Sequence, residues 1–354
     1  MSIAVESFGI NSEGKAINLY TIINKNGAVL KLTDMGAAWV ALIVPDKNGR
    51  MEDVVLGYES GEEYEINNNA GMGAIIGRNA NRICRHRFSL NGVKYNLEDN
   101  GRGDNLHSGP DFYFSRLWEA EPVETELGEG VEFTLFSPHM DQGFPGNLNI
   151  TVSYVLTEDD SVIIEYSGVS DEDTIVNMTS HAYFNLAGHK AGSVNDELVW
   201  IDADYFTHGA DDMVTTGELC PVEGTPMDFR QLKRIGEDIN TDYEPLRRCE
   251  GYDHNYCLNT KPCEVSLVAK LVDDRNGRVM DVFTNLPGMQ FYTGNYLCGG
   301  KKGKEGMSYH RGYGVAFETQ FYPDAINQPQ FPSPVVKAGE HFFYSTIYRF
   351  SVIE

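Results

Sequence analysis

The chain has 354 residues, with 52 acidic against 28 basic side chains and a formal net charge of −24. Such a field repels nucleic acid and anionic lipid and leaves neutral solutes as the natural partners. Apolar residues make up 41%, ample for a substantial core, and no apolar run nears the roughly 20 residues of a membrane helix.

The N-terminal Met1-Ser-Ile-Ala-Val-Glu-Ser lacks the basic and apolar segments of a secretion signal. Six cysteines (84, 220, 249, 257, 263 and 298) lie scattered without a Cys-x-x-Cys pair, as free thiols of a reducing compartment do. A cytoplasmic protein is expected, with no nucleic-acid or membrane partner. Strand signals then dominate the chain. Asn-Gly pairs at 26–27, 48–49, 91–92, 100–101 and 276–277 mark tight turns, because both residues tolerate positive φ. Between them lie β-rich runs at residues 19–23, 28–32, 39–44, 87–90, 131–137, 148–156 and 162–167. The run Leu148-Asn-Ile-Thr-Val-Ser-Tyr-Val-Leu alternates, which puts one face in a core. Further strands are predicted at 198–201, 264–271, 279–284, 290–296 and 341–352. Two helices are predicted, at 61–67 and at 229–239 with Asp228 as N-cap. Residues 205–252 read as ordered excursions. The expectation is one all-β domain over residues 1–354, a large antiparallel sandwich with few short helices.

Some motifs carry no function. Arg102-Gly-Asp104 spells an adhesion tripeptide in a chain without a secretion signal. Asn149-Ile-Thr and Asn177-Met-Thr are glycosylation sequons inside strand-like runs. Gly71-x-Gly73-x-x-x-Gly77 has the wrong spacing for a dinucleotide loop.

Five polar segments interrupt apolar strands. Asn81 and Arg82, in Gly77-Arg-Asn-Ala-Asn-Arg-Ile83, offer donors suited to sugar hydroxyls or a carboxylate. His107 lies on a Gly/Pro loop, where function concentrates. His181 sits among Thr179, Ser180, Tyr183 and Asn185. Asp253 and His254 are adjacent, so in a strand they face opposite sides. Glu318 follows Phe317 and precedes Phe321-Tyr322, and desolvation there raises a carboxylate's basicity. Taken singly, Glu318, the Asn81–Arg82 pair and His107 read first as structural or surface residues, and His181 reads either way. A metal site from His107, His181, His254 and Asp253 lacks the usual histidine spacing.

Together these segments resemble the aldose 1-epimerase (galactose mutarotase) family. The matching stretches are GRNANRI (77–83), NLHSGP (105–110), SHAYFNLAG (180–188), GTPMDFR (224–230), YDHNYCLN (252–259), LPGMQFYTGN (286–295) and FETQFYPDAINQPQFPSP (317–334), in the family's order. The resemblance implies a β-supersandwich and interconversion of the α and β anomers of free hexoses such as galactose and glucose, without metal or organic cofactor. It implies Glu318 as general base, His181 as general acid and His107 as a second imidazole near the ring oxygen. Asn81, Arg82, Tyr183, Asp253 and Gln290 match sugar-binding positions. Two departures stand out: Ser108 occupies a position where the family usually has Gly, in a loop continuing through Asp-Phe-Tyr-Phe, and Ala182 replaces a common Ser or Thr. The first is expected to reshape the pocket edge and admit a disaccharide such as maltose.

Mutarotation needs the anomeric hydroxyl deprotonated while the ring oxygen is protonated, each group within roughly 3 Å of its proton. An ionised Glu318 and a protonated His181, its charge held by Asp253, are expected to supply this. A noncatalytic sugar-binding sandwich would lack the acid–base pair. A glycosidase would need two carboxylates flanking the bond, and a hexose-phosphate epimerase a cationic pocket. A monomer or weak homodimer is expected.

Overall fold

The computed structural model describes residues 3–67, 71–101, 103–209 and 215–353. Three large antiparallel sheets carry the architecture, which is all-β as expected. The first is a five-stranded meander in sequence order: Ala4–Ile10, Ala16–Ile23, Val29–Thr33, Ala38–Pro45 and Met51–Asp53. The second has nine strands, with the C-terminal strand His341–Val352 inserted between Ser161–Ser170 and Arg278–Thr284. The third has five strands in the order Thr215–Pro221, Ala203–Gly209, Asp253–Leu258, Gly288–Tyr292 and Ala316–Gln320.

The alternating run at 148–156 forms the strand Leu148–Thr157, whose Leu148, Ile150, Val152 and Tyr154 are buried in the core. Trp39 links the layers. Its ring meets Tyr154, Phe184 and Tyr348 in edge contacts at 6.4, 5.4 and 5.7 Å, and its indole N–H donates to Ala41 O. Such contacts add to the area that the rings bury.

The Asn-Gly signals divide. Asn91-Gly92 closes a two-residue hairpin with φ of +52° and +79°, the conformation that this pair tolerates best. Asn100-Gly101 closes no hairpin. The Asn100 side chain instead accepts from Leu106 N–H and donates to Leu106 O, bracing the loop that carries His107. Arg102 lies outside the described residues.

The helix at Gly61–Asn67 forms as expected. The one predicted at 229–239 shrinks to Ile235–Asp238. Phe229 is buried and its carbonyl accepts from Ile201 N–H, while Lys233–Arg234 pairs with the strand Leu198–Ile201. Sheet pairing outcompetes local helix propensity, and Asp228 takes Arg230 as its partner rather than capping. A helix at Glu244–Cys249, with Pro245 in its first turn, falls within residues 205–252, where no helix beyond 229–239 was predicted. No disulfide joins any of the six cysteines among the described residues. Among the described residues no helix is long and apolar enough to cross a membrane.

Candidate active site

Strand register assembles the site. Asn255 lies opposite Gln290, and Gln290 opposite Glu318, on neighbouring strands. Strand side chains alternate, so Asp253, Gln290, Tyr292 and Glu318 share one face while Phe291 and Phe317 enter the core on the other. That core side is clamped. Tyr348 O–H donates to Phe317 O at 2.8 Å, and the hydroxyls of Thr319 and Thr346 meet at 2.5 Å. Glu318 thus projects from a backbone with little freedom.

His181 follows the short strand Thr179–Ser180, which pairs with Ile75–Ile76. Its N–H donates to Ala74 O, and its carbonyl accepts from Gly73 N–H. The imidazole Nε2 lies 3.6 Å from Glu318 Oε1. Both side chains are buried, at 6% and 2% exposure, in the wall of a cavity of about 520 Å³. Two atoms of the pair, His181 Nδ1 and Glu318 Oε2, lack a hydrogen-bond partner. Buried polar atoms are rarely left so, and here both belong to residues that line the cavity.

Burial also sets the protonation. It pushes the Glu318 carboxyl well above the usual range, helped by the nearby Asp253 charge and opposed by Arg82. It pushes His181 down to about 4. Burial therefore favours a neutral pair, carboxylic acid with imidazole, over the ion pair expected from sequence. Desolvation opposes both charges together. Asp253 does not hold an imidazolium; it accepts from Gln290 Nε2 at 2.7 Å.

The remaining expected residues converge. Asn81 Nδ2 donates to Gln290 Oε1, which orients both amides in a chain ending at the Asp253 carboxylate. Arg82 is held by Asp104 at 3.3 Å, so the acidic residue of the dismissed adhesion tripeptide positions a pocket cation. Tyr183 lies 5.0 Å from the His181 ring. All eight expected residues, Asn81, Arg82, His107, His181, Tyr183, Asp253, Gln290 and Glu318, line the one cavity.

His107 reaches the cavity on left-handed backbone, φ +56°. Its Nδ1 accepts the Asn81 backbone N–H at 3.1 Å, and its own N–H donates to Asn81 O. That bond leaves the ring proton on Nε2. Burial, with His181 and Arg82 nearby, keeps the ring neutral by pushing its pKa well below the ordinary value. His107 is therefore built as an uncharged donor. Its nitrogens, those of His181 and the Glu318 carboxylate approach within 4.8 Å of one another. A metal would need a bare Nε2 on His107, and the Asn81 amide opposes that tautomer. The other histidine considered as a ligand, His254, is absent from this cluster.

Ser108 also has positive φ, +57°, where glycine would sit without strain. Its hydroxyl accepts from Asn79 N–H and donates to Asn79 O, which offsets the strain. Ser108 is buried and does not line the main cavity, so the pocket edge is shaped by Phe112 and Phe114 of the same loop. Ala182 is likewise buried away from it. Sequence reasoning missed Met72, Tyr292 and Tyr296, which also line the cavity. Nothing in their local pattern separates them from core residues. Asn177, read as a sequon, is buried and joins Ala80 O to the backbone of Phe321, so it ties the Asn81 loop to the end of the Glu318 strand.

His254 lies on the reverse of the Asp253 strand. Its Nδ1 accepts from Asp253 N–H, and its ring packs on Phe206 and Cys249. Burial pushes it down to about 4. A histidine with lowered folded pKa contributes stability that is present above its unfolded value of about 6.5 and is lost as pH falls toward 4. The loss at pH 4 is about 3 kcal/mol for this residue. Urea unfolding at pH 7 and pH 4 should show His254→Gln losing less stability than the parent over that interval; equal losses would contradict the assignment.

Comparison with known proteins follows the same lines. The sequence model of the family described as Aldose 1-epimerase matches residues 18–349. The chain is 38% identical over 317 residues to the galactose mutarotase of Homo sapiens, covering 90% of this chain and 89% of that one. It is 34% identical over 347 residues to the aldose 1-epimerase of Escherichia coli K12, covering 98% of each. The structure matches that of an aldose epimerase homologue from C. elegans with TM-score 0.87 and 28% identity, over 96% of this chain and all of that one. It also matches a galactose 1-epimerase structure from Lactobacillus acidophilus with TM-score 0.88 at 24% identity, over the full length of both.

Proposed function

The chain belongs to the aldose 1-epimerase family and is an aldose 1-epimerase; on that premise we propose that Glu318 and His181 interconvert the anomers of free hexoses as its base and acid. The observation that carries this assignment is the buried pair at 3.6 Å, on two cavity-lining residues that each keep one unpartnered atom.

The pair holds one proton in either of its forms. In the first, Glu318 is a carboxylate and His181 an imidazolium. Glu318 takes the proton of the anomeric hydroxyl while His181 gives its proton to the ring oxygen. The C1–O5 bond breaks, C1 becomes an aldehyde carbon, and the pair is left as carboxylic acid and imidazole. After rotation about C1–C2, both protons return and the ring closes on the other face. The neutral form favoured by burial is thus the one that accompanies the open chain, and desolvation stabilises the stage at which the pair carries no charge. Hydroxyl groups of the bound sugar supply the hydrogen bonds that lower the cost of the ion pair at the outset. His107, a neutral donor, stabilises negative charge developing on oxygen without competing for a proton. Asn81, Arg82, Asp253 and Gln290 orient the remaining hydroxyls.

The substrate is neutral. Arg82 is the sole Lys or Arg among the described cavity-lining residues and is paired with Asp104, which disfavours a sugar phosphate. Freshly dissolved α-glucose and α-galactose followed by polarimetry test the reading. Catalytic amounts of protein should bring at least one to equilibrium at a rate that scales with protein concentration and far exceeds the buffer rate. Rates equal to buffer for both would refute it.

A further inference from the structure

We propose that the Glu318–His181 pair has a second activity: it adds water to the carbonyl of short, neutral hydroxyaldehydes that are too small to close a ring, and removes it again. This goes beyond anomer interconversion but rests on the same assignment of acid and base.

The chemistry follows from the closing half of mutarotation. There an O–H group adds across C1=O, one member of the pair taking the hydroxyl proton while the other protonates O1. Nothing in that step requires the hydroxyl to belong to the sugar. In a hexose the tethered O5 wins, because an intramolecular nucleophile acts at an effective concentration far above that of solvent. A three-carbon aldehyde has no such hydroxyl, and water takes the place of O5. The step starts from an uncharged acid and an uncharged base. Burial favours that state, raising the Glu318 carboxyl and pushing His181 down to about 4. The two groups lie 3.6 Å apart, and with His107 all three approach within 4.8 Å, a spacing that one carbonyl and its incoming oxygen can bridge. The Asn81 amide keeps the His107 proton on Nε2, which makes that ring a neutral donor for charge building on O1.

Space and access also suit the reaction. A triose has about the bulk of three water molecules, roughly 90 Å³. The cavity has about 520 Å³, so room remains for water beside the substrate. Tyr296 and Cys298 line it and are exposed, so it opens to solvent. The Asn81–Gln290–Asp253 chain uses only part of the capacity of its amides and carboxylate, which leaves N–H groups and lone pairs for the hydroxyls at C2 and C3. The net charge of −24 disfavours a phosphorylated triose. The balance is simple. The water oxygen gives an electron pair to C1, and one water proton passes to His181. The π pair of C1=O1 takes the Glu318 proton. The product is the geminal diol, and the imidazolium returns its proton to the carboxylate to restore the starting pair.

The test is proton saturation transfer between the aldehyde and hydrate forms of dilute D-glyceraldehyde. The parent should raise the exchange rate at least about tenfold over buffer, in proportion to protein, as general acid–base catalysis allows. Glu318→Gln should return it to the buffer rate. That variant keeps every other carboxylate, so it separates the pair from general catalysis by an acidic protein. Whichever of glucose and galactose the parent turns over by polarimetry should suppress the exchange competitively, with an inhibition constant close to its mutarotation KM. The competition needs no variant, so a misfolded Glu318→Gln leaves the test intact. Mutarotation with exchange at the buffer rate, or exchange that survives Glu318→Gln or ignores the sugar, overturns the hydration and leaves the mutarotation assignment standing. Absence of mutarotation for both hexoses overturns the reading on which the inference rests, and the inference with it.

Discussion

Glu318→Gln is expected to lower kcat for mutarotation by about 10³-fold, with KM changed by less than about threefold. General acid–base groups contribute roughly 10²–10⁴ to rate. The group that removes the anomeric proton supplies the electron pair that expels the ring oxygen, so its effect should lie in the upper part of that range. Glutamine keeps the shape of the side chain and can still hydrogen-bond a hydroxyl, so binding survives, but an amide does not accept the proton. The fold should survive as well. Glu318 is buried on a strand clamped by Tyr348 and Thr346, and a carboxyl whose ionisation is opposed by burial and by Asp253 contributes no charge pairing that glutamine would forfeit. Thermal melting should show Tm unchanged or raised. Sugars mutarotate slowly in buffer, so the residual rate must be measured as a dependence on protein concentration. A variant within tenfold of the parent would show that another group is the base.

His181→Asn is expected to lower kcat by about 10²- to 10³-fold and to change the shape of the pH profile. In the parent, the working pair carries one proton. It gains a second as pH falls through the depressed value near 4 that burial imposes on His181. It loses its only proton as pH rises through the raised Glu318 titration. These titrations belong to the pair rather than to either residue alone. The parent should therefore show a bell in kcat/KM, with its acid limb near pH 4 and its alkaline limb well above the ordinary carboxyl range. Without the imidazole, Glu318 serves only once ionised. The residual rate should then climb through a single limb as pH rises, with no fall on the alkaline side. A retained bell, or near-normal turnover at neutral pH, would remove His181 from the mechanism.

The locations of these two residues were differently legible. The motif around Glu318 was visible as a polar residue ending an apolar run, and the structure adds the register that lines it up with Gln290 and Asn255. His181 was marked by neighbouring hydroxyls, yet Thr179 and Ser180 are buried in the short strand that precedes the histidine and do not line the cavity. The run at 77–83 shows the limit well. It contains two arginines four residues apart with similar neighbours. Arg78 is buried and its guanidinium donates to Pro145 O, Gly146 O and Ser137 O, fastening loops together. Arg82 reaches the cavity. No local pattern distinguishes them, because their partners lie up to 96 residues away.

What the sequence determined by itself was whatever depends on a few consecutive residues: alternating strands such as Leu148–Thr157, the Asn91-Gly92 hairpin, and the chemical identities of the side chains available for acid–base work. The failed helix at 229–239 shows where that reach ends, since pairing with Leu198–Ile201 overrode its local preference. Only the tertiary structure decided which proton sits where. Burial raises the Glu318 carboxyl and lowers His181, which favours the neutral pair, and a backbone amide at Asn81 favours one tautomer of His107. Local conformational preference is settled by neighbours along the chain. Charge and protonation are settled by how much water the fold removes and by which distant groups it brings within hydrogen-bonding distance.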